Sequence, residues 1–575
     1  MTTLSSEDAS LIQKILGRTK TEDIDPDQII KIFYHIPTYE MMFNESTALI
    51  EGGRGTGKSM LLHYFYLSKI SSFFSREEER IFPVLIKIHP LFFSNYEGDY
   101  FLNDENRVRY ILSLFNNMIL EVFWTSIEKE VKERDSSTLK VDNLFDQEIK
   151  LFLERNNYIF KENDDFRSFS DIRKIFTNAR ERLQSIFSGL IKQGMKVDDS
   201  NEGTHVLPIG YRYNFLVNYF ILITKKIFNN KIRKIVILID EYDKLSDFVQ
   251  SIININLNQR NPILCFKIAC KTSFFNKKSY SDENIDFTHD INWFPTNLKI
   301  DSHKHSSKRT QLYLEEIVNK RFRIHFDEFS VKEILGKSQT NTERLELLKK
   351  HTKGGPKFEY YGAKDIATIA SGIPRHYMNL CNWIITDHLS ENKTLNLEDK
   401  KSISKSIQND VVIRYAKFEF GNVIDESHNG ELYHTFIDNL GEAFKKKIEY
   451  SLLNDFKYKA TFSFAIRDYS RLNSEIKNLI KLAERDSIII RLNRKGKDGN
   501  YTQKVFSLDS KFAPVFNLLP TNPDPLQFHP EEFNKILDKK LFLEVLKEKW
   551  SARDSNKNED PKTLNAKNLL DFMKR

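Results

Sequence analysis

Glycine is scarce in this chain of 575 residues, yet four of its 20 glycines fall within residues 52–57. The run Gly52-Gly53-Arg54-Gly55-Thr56-Gly57-Lys58-Ser59 fits the pattern G-x-x-x-x-G-K-[ST]. Glycine adopts positive φ at little steric cost, so successive backbone N–H groups can turn inward toward an anion. The run 47–50 predicts a buried strand before the loop, and the run 60–65 predicts a helix after it. These features predict a strand–loop–helix unit that binds phosphate groups.

The polar residues of this loop have distinct roles toward a nucleoside triphosphate. Lys58 is predicted to contact the β- and γ-phosphates, and the Ser59 hydroxyl to bind Mg²⁺. A helix that begins at the end of the loop directs its N–H groups and its dipole at the phosphates. The predicted nucleotide-binding residues are Gly52, Gly53, Arg54, Gly55, Thr56, Gly57, Lys58, Ser59 and Met60. The sequence therefore predicts an ATP site that uses Mg²⁺.

Composition sets the broad class of the protein. A chain of 575 residues is long enough for about three or four domains. The net charge of +7 permits a nucleic-acid partner but does not argue for one. Residues 1–8 lack the basic and apolar regions of a signal peptide, and no apolar run reaches the ~20 residues that span a bilayer. The cysteines, Cys265, Cys270 and Cys381, show no metal-ligand spacing and are predicted to be core residues. We expect a cytoplasmic protein without a membrane segment.

A second sequence run supplies carboxylates. Residues 235–239 are five consecutive apolar residues, typical of a strand buried on both faces of a parallel sheet, and Asp240 and Glu241 follow directly. Ligands bind beyond the carboxyl ends of such strands. We expect Asp240 to hold Mg²⁺ and Glu241 to activate the water that attacks the γ-phosphate. This pair favours ATP hydrolysis over the transfer of phosphate to a small molecule.

A third strand is predicted over 263–270. The order of motifs is typical of ATPases that carry an extra strand between the two phosphate-site strands. A polar residue just past this strand, Thr272 or Lys271, is a candidate sensor of the γ-phosphate. Polar residues also end strands for solubility alone, so that alternative stays open.

An arginine in the run 371–377 occupies an unusual helix position. Gly372 is predicted to end one helix, Pro374 to begin the next, and Arg375 to lie in its first turn. A cation there opposes the helix dipole, and a phosphate partner would explain its position. An ion pair with a nearby carboxylate is the alternative.

Together these motifs resemble those of the AAA+ ATPases, and within them the initiator-like (origin-recognition-complex-like) group, alongside the related STAND ATPases. The resemblance is carried by Asp240-Glu241-Tyr242-Asp243, by the run 371–377, which is similar to a sensor-2 signature, and by a predicted winged helix beyond it. It covers about residues 25–515 as motif matches. It implies an α/β P-loop NTPase core with a parallel sheet, a helical lid that closes on ATP through Arg375, and a C-terminal winged-helix domain.

The same resemblance implies an arginine finger that reaches a neighbouring subunit's γ-phosphate. The predicted helix over 311–323 lies where that residue belongs, with Arg321 as the candidate and Arg323 as the fallback. A solvated basic helix end is the alternative.

Between Lys58 and Asp240 the chain departs from a minimal core, since 182 residues separate them. A further strand is predicted over 82–88, and helical spacing over 108–134, 143–155, 168–191 and 213–228. We interpret about 100–230 as a helical insertion and a docking surface for a protein partner. The alternative is that these helices simply cover the sheet.

The C-terminal part predicts a helix over 472–485, then strands over 487–492 and 501–508 joined by a basic turn. A helix followed by such a hairpin is the winged-helix pattern. Arg494, Lys495 and Lys497 at the turn could contact phosphates of duplex DNA. Solubility of the turn, or use of the hairpin as an internal switch, are the alternatives.

We predict an ATP-binding and ATP-hydrolysing switch that controls its own assembly, a protein partner or DNA. By resemblance alone, we place it among ATPases of bacterial anti-phage defence. One alternative is a DNA-binding initiator-type module with a slow or vestigial ATPase, and another is a scaffold that uses ATP only for stability. The predicted divisions are an N-terminal segment 1–45, an ATPase core 46–325, a lid 326–410, a winged helix 411–520 and a helical tail 521–575.

Overall fold

The computed structural model describes much of the chain. The described residues are 3–555, except 37–38, 40–43, 76–80, 90, 95, 97–100, 102, 135–146, 161–167, 193–208, 213, 229, 258–261, 272–273, 281–291, 296–303, 327–328, 341–342, 344–357, 393, 397–401, 427–428, 456–461, 493–503 and 521–524. They form two compact units. Asp25–Gly52 with Gly57–Thr296 is here called the sheet unit, and Met1–Ile24 with Gly53–Thr56 and Asn297–Arg575 the C-terminal unit.

Strands and helices are interspersed up to residue 295 of the described chain, and helices predominate afterwards. The strands are β1 Thr3–Ser5, β2 Ala48–Glu51, β3 Ile81–Lys87, β4 Lys234–Asp240, β5 Leu264–Cys270, β6 Asn292–Pro295, β7 Thr394–Asn396, β8 Ser463–Ile466, β9 Ile489–Leu492, β10 Lys504–Leu508 and β11 Leu526–Phe528. The helices up to the end of the sheet unit are α1 Ala9–Gly17, α2 Pro26–Ile32, α3 Lys58–Ser75, α4 Leu91–Ser94, α5 Asp104–Arg134, α6 Gln147–Glu154, α7 Phe169–Lys192, α8 Phe215–Lys226 and α9 Asp247–Leu257. The later helices are α10 Lys304–Arg323, α11 Val331–Leu335, α12 Ala363–Ile369, α13 Pro374–Asn392, α14 Lys405–Glu426, α15 Gly430–Asp455, α16 Ser474–Arg485, α17 Pro530–Phe533 and α18 Lys539–Ser555.

The sheet unit is built on a parallel sheet with the strand order β3-β4-β5-β2-β6. All four pairings between neighbouring strands are parallel. β5 lies between β2, which leads into the glycine-rich loop, and β4, which ends at Asp240. The predicted extra strand is therefore confirmed, and so is the α/β class.

The helices of the predicted insertion cover one face of this sheet. Alternate residues of β4 point to opposite faces, because the side-chain period of a strand is two. Ile235, Ile237 and Ile239 belong to one apolar core, which also contains residues of α5, α7 and α8 such as Trp124 and Tyr219. Val236 and Leu238 belong to the other core, with residues of α3. These contacts favour the alternative that the helices serve as the cover of the sheet.

Length and composition alone would let the segment Asp104–Lys132 of α5 cross a membrane. In the structure 83% of its most apolar window is buried inside the protein. The Trp124 indole N–H donates to the Tyr219 hydroxyl at 3.0 Å within this interior. This is the packing of a core helix, and the cytoplasmic location stays a prediction.

The N-terminal residues belong to the C-terminal unit. β1 pairs antiparallel with β7, and α1 packs against α13 and α10. The predicted division at residue 45 missed this, because no local pattern in residues 1–24 reveals a partner nearly 400 residues away. α14 also runs as one continuous helix through residue 410, where the lid was predicted to end.

The end of the chain forms an antiparallel hairpin with added strands. β10 pairs with β9 and with β8, and β11 adds in parallel to β8, giving the order β11-β8-β10-β9. α16 precedes the hairpin, and the Asn473 side chain accepts the Ile476 N–H to cap it. The predicted helix and both strands are present, although the winged-helix assignment itself stays a prediction. The hairpin tip with Arg494, Lys495 and Lys497 lies outside the described residues. All three cysteines are free and buried, as expected.

Candidate functional site

The glycine-rich loop connects the end of β2 to the start of α3. Gly55 has φ of +81° and Gly57 has φ of +93°, a region that other residues rarely adopt. Among the residues that the structure describes, no atom lies within 4 Å of a Cβ placed on Gly57, so the requirement for glycine there is conformational. The Thr56 hydroxyl donates to the Gly53 carbonyl at 3.0 Å and closes the loop. Met60 lies in the first turn of α3 and packs against the apolar core.

Lys58 is the first residue of α3, and its ammonium group is buried at the loop. Nζ donates to the Gly52 carbonyl at 2.7 Å. Burial lowers the pKa of Lys58, although Asp243 and Asp240 oppose that shift. A buried cation held against a loop of backbone amides is suited to a phosphate group, which would add negative charge beside it.

Ser59 and Asp240 are joined by a side-chain hydrogen bond. Asp240 is only 3% exposed, and burial raises the pKa of its carboxyl group while the Ser59 hydroxyl lowers it. The Glu241 N–H also donates to Asp240 Oδ1 at 2.9 Å. A hydroxyl and a carboxylate are hard oxygen donors of the kind Mg²⁺ takes. The residues present therefore fit a magnesium ion.

Glu241 follows β4 in a left-handed conformation, with φ of 61°. This is costly for a residue with a side chain, and such strain is often found at functional sites. Its carboxylate is 28% exposed and forms ion pairs with Lys244 and, at 3.9 Å, with Lys87. Sequence reasoning missed both lysines; Lys87 is found only through its register with Asp240 on the neighbouring strand.

The predicted sensor position lies at the end of β5. Thr272 lies outside the described residues, whereas Lys271 is described. The Lys271 N–H donates to Asp243 Oδ1 at 3.0 Å, and Nζ lies 3.8 Å from Oδ2. Asp243, overlooked as a site residue, thus links the ends of β4 and β5. Its place two residues after Glu241 was the available signal.

Arg375 lies in the first turn of α13, as predicted, after a turn in which Ser371 and Gly372 both have positive φ. A Cβ on Gly55 would come within 2.9 Å of Arg375 Cβ and 3.1 Å of an Ile373 methyl group. Residues 373–375 therefore pack directly on the glycine-rich loop, inside the C-terminal unit. A side chain at Gly55 would force this contact apart.

Arg321 does not lie where a finger toward another subunit requires it. Its Nη1 atom donates to the carbonyls of Ile15 and Arg18, both at 2.9 Å. Burial lowers the pKa of its guanidinium group to about 10. The finger role predicted for Arg321 does not fit this placement, because the group is committed to the C-terminal end of α1. Arg323 has a 47% exposed side chain and an ion pair with Glu316 at 3.5 Å.

A family model described as ORC-CDC6-like matches residues 14–357 and 338–528, most of the chain. Among solved structures, a chain of Drosophila ORC bound to DNA is similar with 9% identity and a TM-score of 0.25. That match covers 87% of this chain and 93% of the Drosophila chain. No curated protein matches closely enough to be called a relative. The family match includes the glycine-rich loop, both carboxylates after β4, and Arg375.

Proposed function

Because the chain belongs to the ORC-CDC6-like family of AAA+ proteins, we propose that it is an ATP-hydrolysing switch. The family generally binds and hydrolyses ATP with Mg²⁺, and engages DNA or partner proteins according to the nucleotide state. In this proposal ATP occupies the glycine-rich loop, and its hydrolysis changes which assembly or partner the protein engages.

One observation carries the proposal: Lys58, Ser59 and Asp240 come together at the carboxyl edge of the parallel sheet. Lys58 is a buried cation beside the loop carbonyl of Gly52, and Ser59 is hydrogen-bonded to Asp240. Lys58 would bind the terminal phosphates, and Ser59 with Asp240 would hold Mg²⁺. Bound there, Mg²⁺ supplies positive charge against the phosphate oxygens.

Glu241 is proposed as the general base. Its carboxylate would accept a proton from the water that attacks the γ-phosphate. The ion pairs with Lys244 and Lys87 hold this carboxylate at the edge of the sheet. Lys271, paired with Asp243, stands at the sensor position among the described residues.

The test separates binding from hydrolysis. In Glu241→Gln the side chain keeps its size but loses its basicity, so ATP binding should persist while phosphate release falls by about 100-fold or more. Asp247→Asn is the matched control, since Asp247 is an exposed carboxylate six residues further on. Equal turnover in Glu241→Gln and wild type would remove Glu241 from the role of base.

A homo-oligomer is part of the proposal, with Arg323 as the finger that reaches a neighbouring subunit. Arg375 would bind the γ-phosphate within its own subunit, supported by its packing against Gly55. Arg323→Ala should lower turnover only at concentrations at which the chain assembles.

Binding of duplex DNA is the second candidate function, and a cluster of cations on the helix and hairpin favours it. Lys477, Arg491 and Lys504 are near neighbours, and Glu484 forms an ion pair with Arg491 at 2.8 Å. Burial, and then Arg491 and Lys477, lower the pKa of Lys504, whereas Glu484 opposes that shift. We propose that this surface and the basic tip contact DNA phosphates.

Binding of duplex DNA by the wild-type chain should weaken steeply between about 50 and 200 mM salt. Charge reversal at Arg494, Lys495 and Lys497 should abolish that binding. The matched control reverses Lys445, Lys446 and Lys447 on α15, an identical change in charge. If both triple variants bind DNA alike, the tip is not the contact.

The defence role stays a proposal from resemblance alone. Cells that carry the gene should plate phage less efficiently than cells that carry the Glu241→Gln variant. Equal plating on the two strains would remove this role.

A further inference from the structure

The glycine-rich loop makes a hydrogen bond with a residue 433 positions away. The Arg54 N–H donates to Ser487 Oγ at 3.0 Å. Both residues belong to the C-terminal unit, and Ser487 is only 6% exposed. Arg54 is one of the loop residues predicted to bind the nucleotide, so the inference below rests on the proposed function.

Ser487 is held in place by the turn between α16 and β9. Its N–H donates to the Glu484 carbonyl at 3.3 Å, and the Ile488 N–H to the Ala483 carbonyl at 2.8 Å. Ser487 has φ of 59°, in the left-handed region that is costly for a serine. The turn therefore fixes the hydroxyl group against the loop.

A second contact joins the same turn to the start of α13. The Asp509 N–H donates to the Ile488 carbonyl at 2.9 Å, which places the end of β10 beside the start of β9. Asp509 Oδ1 accepts the Ser371 hydroxyl, and Ser371 Oγ accepts the Ser510 N–H at 2.8 Å. Ser371 lies four residues before Arg375. We call the set Ser371, Ser487 and Asp509 the clamp.

The clamp therefore contacts two elements of the proposed nucleotide site, the glycine-rich loop and the turn before α13. Ser487 holds the loop at Arg54, and Asp509 holds the turn that leads to Arg375. While the Arg54 N–H donates to Ser487 Oγ, it does not donate to a phosphate oxygen. A phosphate oxygen of ATP and Ser487 Oγ therefore compete for the same donor, the Arg54 N–H.

We propose that Ser487 is a residue of the nucleotide site and that it restrains ATP binding by accepting the Arg54 N–H. Ser487 is supplied by the unit of α16, β9 and β10, here called the helix–hairpin. Linkage makes the effect reciprocal: bound ATP loosens the helix–hairpin to the extent that the helix–hairpin weakens ATP. ATP binding is thereby coupled to the surface that is proposed to bind DNA.

The test is the affinity of the full chain for ATP with Mg²⁺, measured by calorimetry. Ser487→Ala removes the hydroxyl, and Ser487→Gly removes it while also relieving the positive φ. Both should bind ATP about 3- to 10-fold more tightly than wild type, the range expected for one lost hydrogen bond. The control is Ser507→Ala, because the Ser507 hydroxyl donates to the Phe462 carbonyl at 2.9 Å in the same sheet.

Amide hydrogen exchange gives a second readout without nucleotide. The Arg54 amide should exchange faster in Ser487→Gly than in Ser507→Ala, because its acceptor has been removed.

Unchanged or weaker ATP binding in both Ser487 variants would overturn the clamp, and wild-type ATP binding would then leave the proposed function standing. If wild type binds ATP no better than Lys58→Ala, the proposed function fails and the clamp fails with it.

Discussion

The charged groups at the edge of the parallel sheet and those beside Arg375 are both at least partly buried, but they are assembled differently. Lys58, Ser59 and Asp240 come from two short runs, each at the end of a strand. The second group joins His376, Glu419 and Lys511, from α13, α14 and the 3₁₀ segment Ser510–Phe516. Here Lys511 Nζ donates to Glu419 Oε2 at 3.0 Å and lies 3.3 Å from His376 Nε2.

The two groups differ in whether their polar atoms already have partners within the protein. The sheet-edge group has a lysine, a hydroxyl and a carboxylate that a phosphate and a metal ion would complete. The group beside Arg375 is already complete, since the imidazole contacts the Tyr415 hydroxyl on one side and Lys511 on the other. We infer that the first group binds ligand and the second fixes the position of α13.

The largest effect is expected from Lys58→Ala. Removing the buried cation should weaken ATP binding by about 100-fold, because charged hydrogen bonds to phosphate are among the strongest. Lys267→Ala is the matched control: burial lowers the pKa of Lys267 to about 8, and Nζ donates to carbonyls of Asn44 and Ser46 in the same unit. Calorimetric titration should show a loss of affinity for ATP in Lys58→Ala alone. A comparable loss of affinity in both variants would contradict a specific role of Lys58 in ATP binding.

Arg321→Ala should destabilise the C-terminal unit by about 3 kcal/mol, because two carbonyl groups lose a charged donor. Arg323→Ala should change the free energy of unfolding by less than about 0.5 kcal/mol, since its ion pair is exposed. Denaturant titration of both variants measures the contrast. A stable Arg321→Ala chain with reduced turnover would return the finger role to Arg321.

The group beside Arg375 should make the protein sensitive to mild acid. Burial, and then Lys511, lower the pKa of His376 from 6.5 to about 3. Below pH 6.5 the His376 imidazole binds a proton in the unfolded chain but stays neutral in the folded chain. The free energy of unfolding therefore falls as the pH drops toward 3. Between pH 7.5 and 5 the loss is about 2 kcal/mol.

Glu419 extends the effect to lower pH. Although burial opposes the shift, Lys511 and His376 lower the pKa of Glu419 from 4.5 to about 2. Its stabilising contribution is present above pH 4.5 and is lost as the pH falls toward 2. Thermal unfolding at pH 7.5 and 5 should show a shallower pH dependence in His376→Gln than in wild type. An equal slope in the two proteins would contradict the role of His376.

Sequence reasoning found the sheet-edge group because its chemistry is local. A glycine-rich loop with lysine and serine, and an apolar strand that ends in Asp240 and Glu241, each occupy one continuous run. Parallel pairing then brings the ends of the strands together, as the α/β class requires. The bounds of β4 and β5 agree with prediction to within one residue.

The group beside Arg375 escaped prediction because it depends on packing between distant helices. Lys511 and His376 are 135 residues apart, and nothing near either residue indicates the other. Arg321 was misplaced for the same reason, since its partners in residues 15–18 lie more than 300 residues away. The helices 104–226 were interpreted as an insertion because helical spacing alone does not reveal which surface the apolar side meets.

The most direct test of the switch is phosphate release from ATP by the full chain, with Mg²⁺, with and without duplex DNA, at about 50 and 200 mM salt. We predict turnover that requires Lys58 and Glu241 and that duplex DNA changes at the lower salt concentration only. Turnover no greater than that of Lys58→Ala, under every condition, would contradict the account.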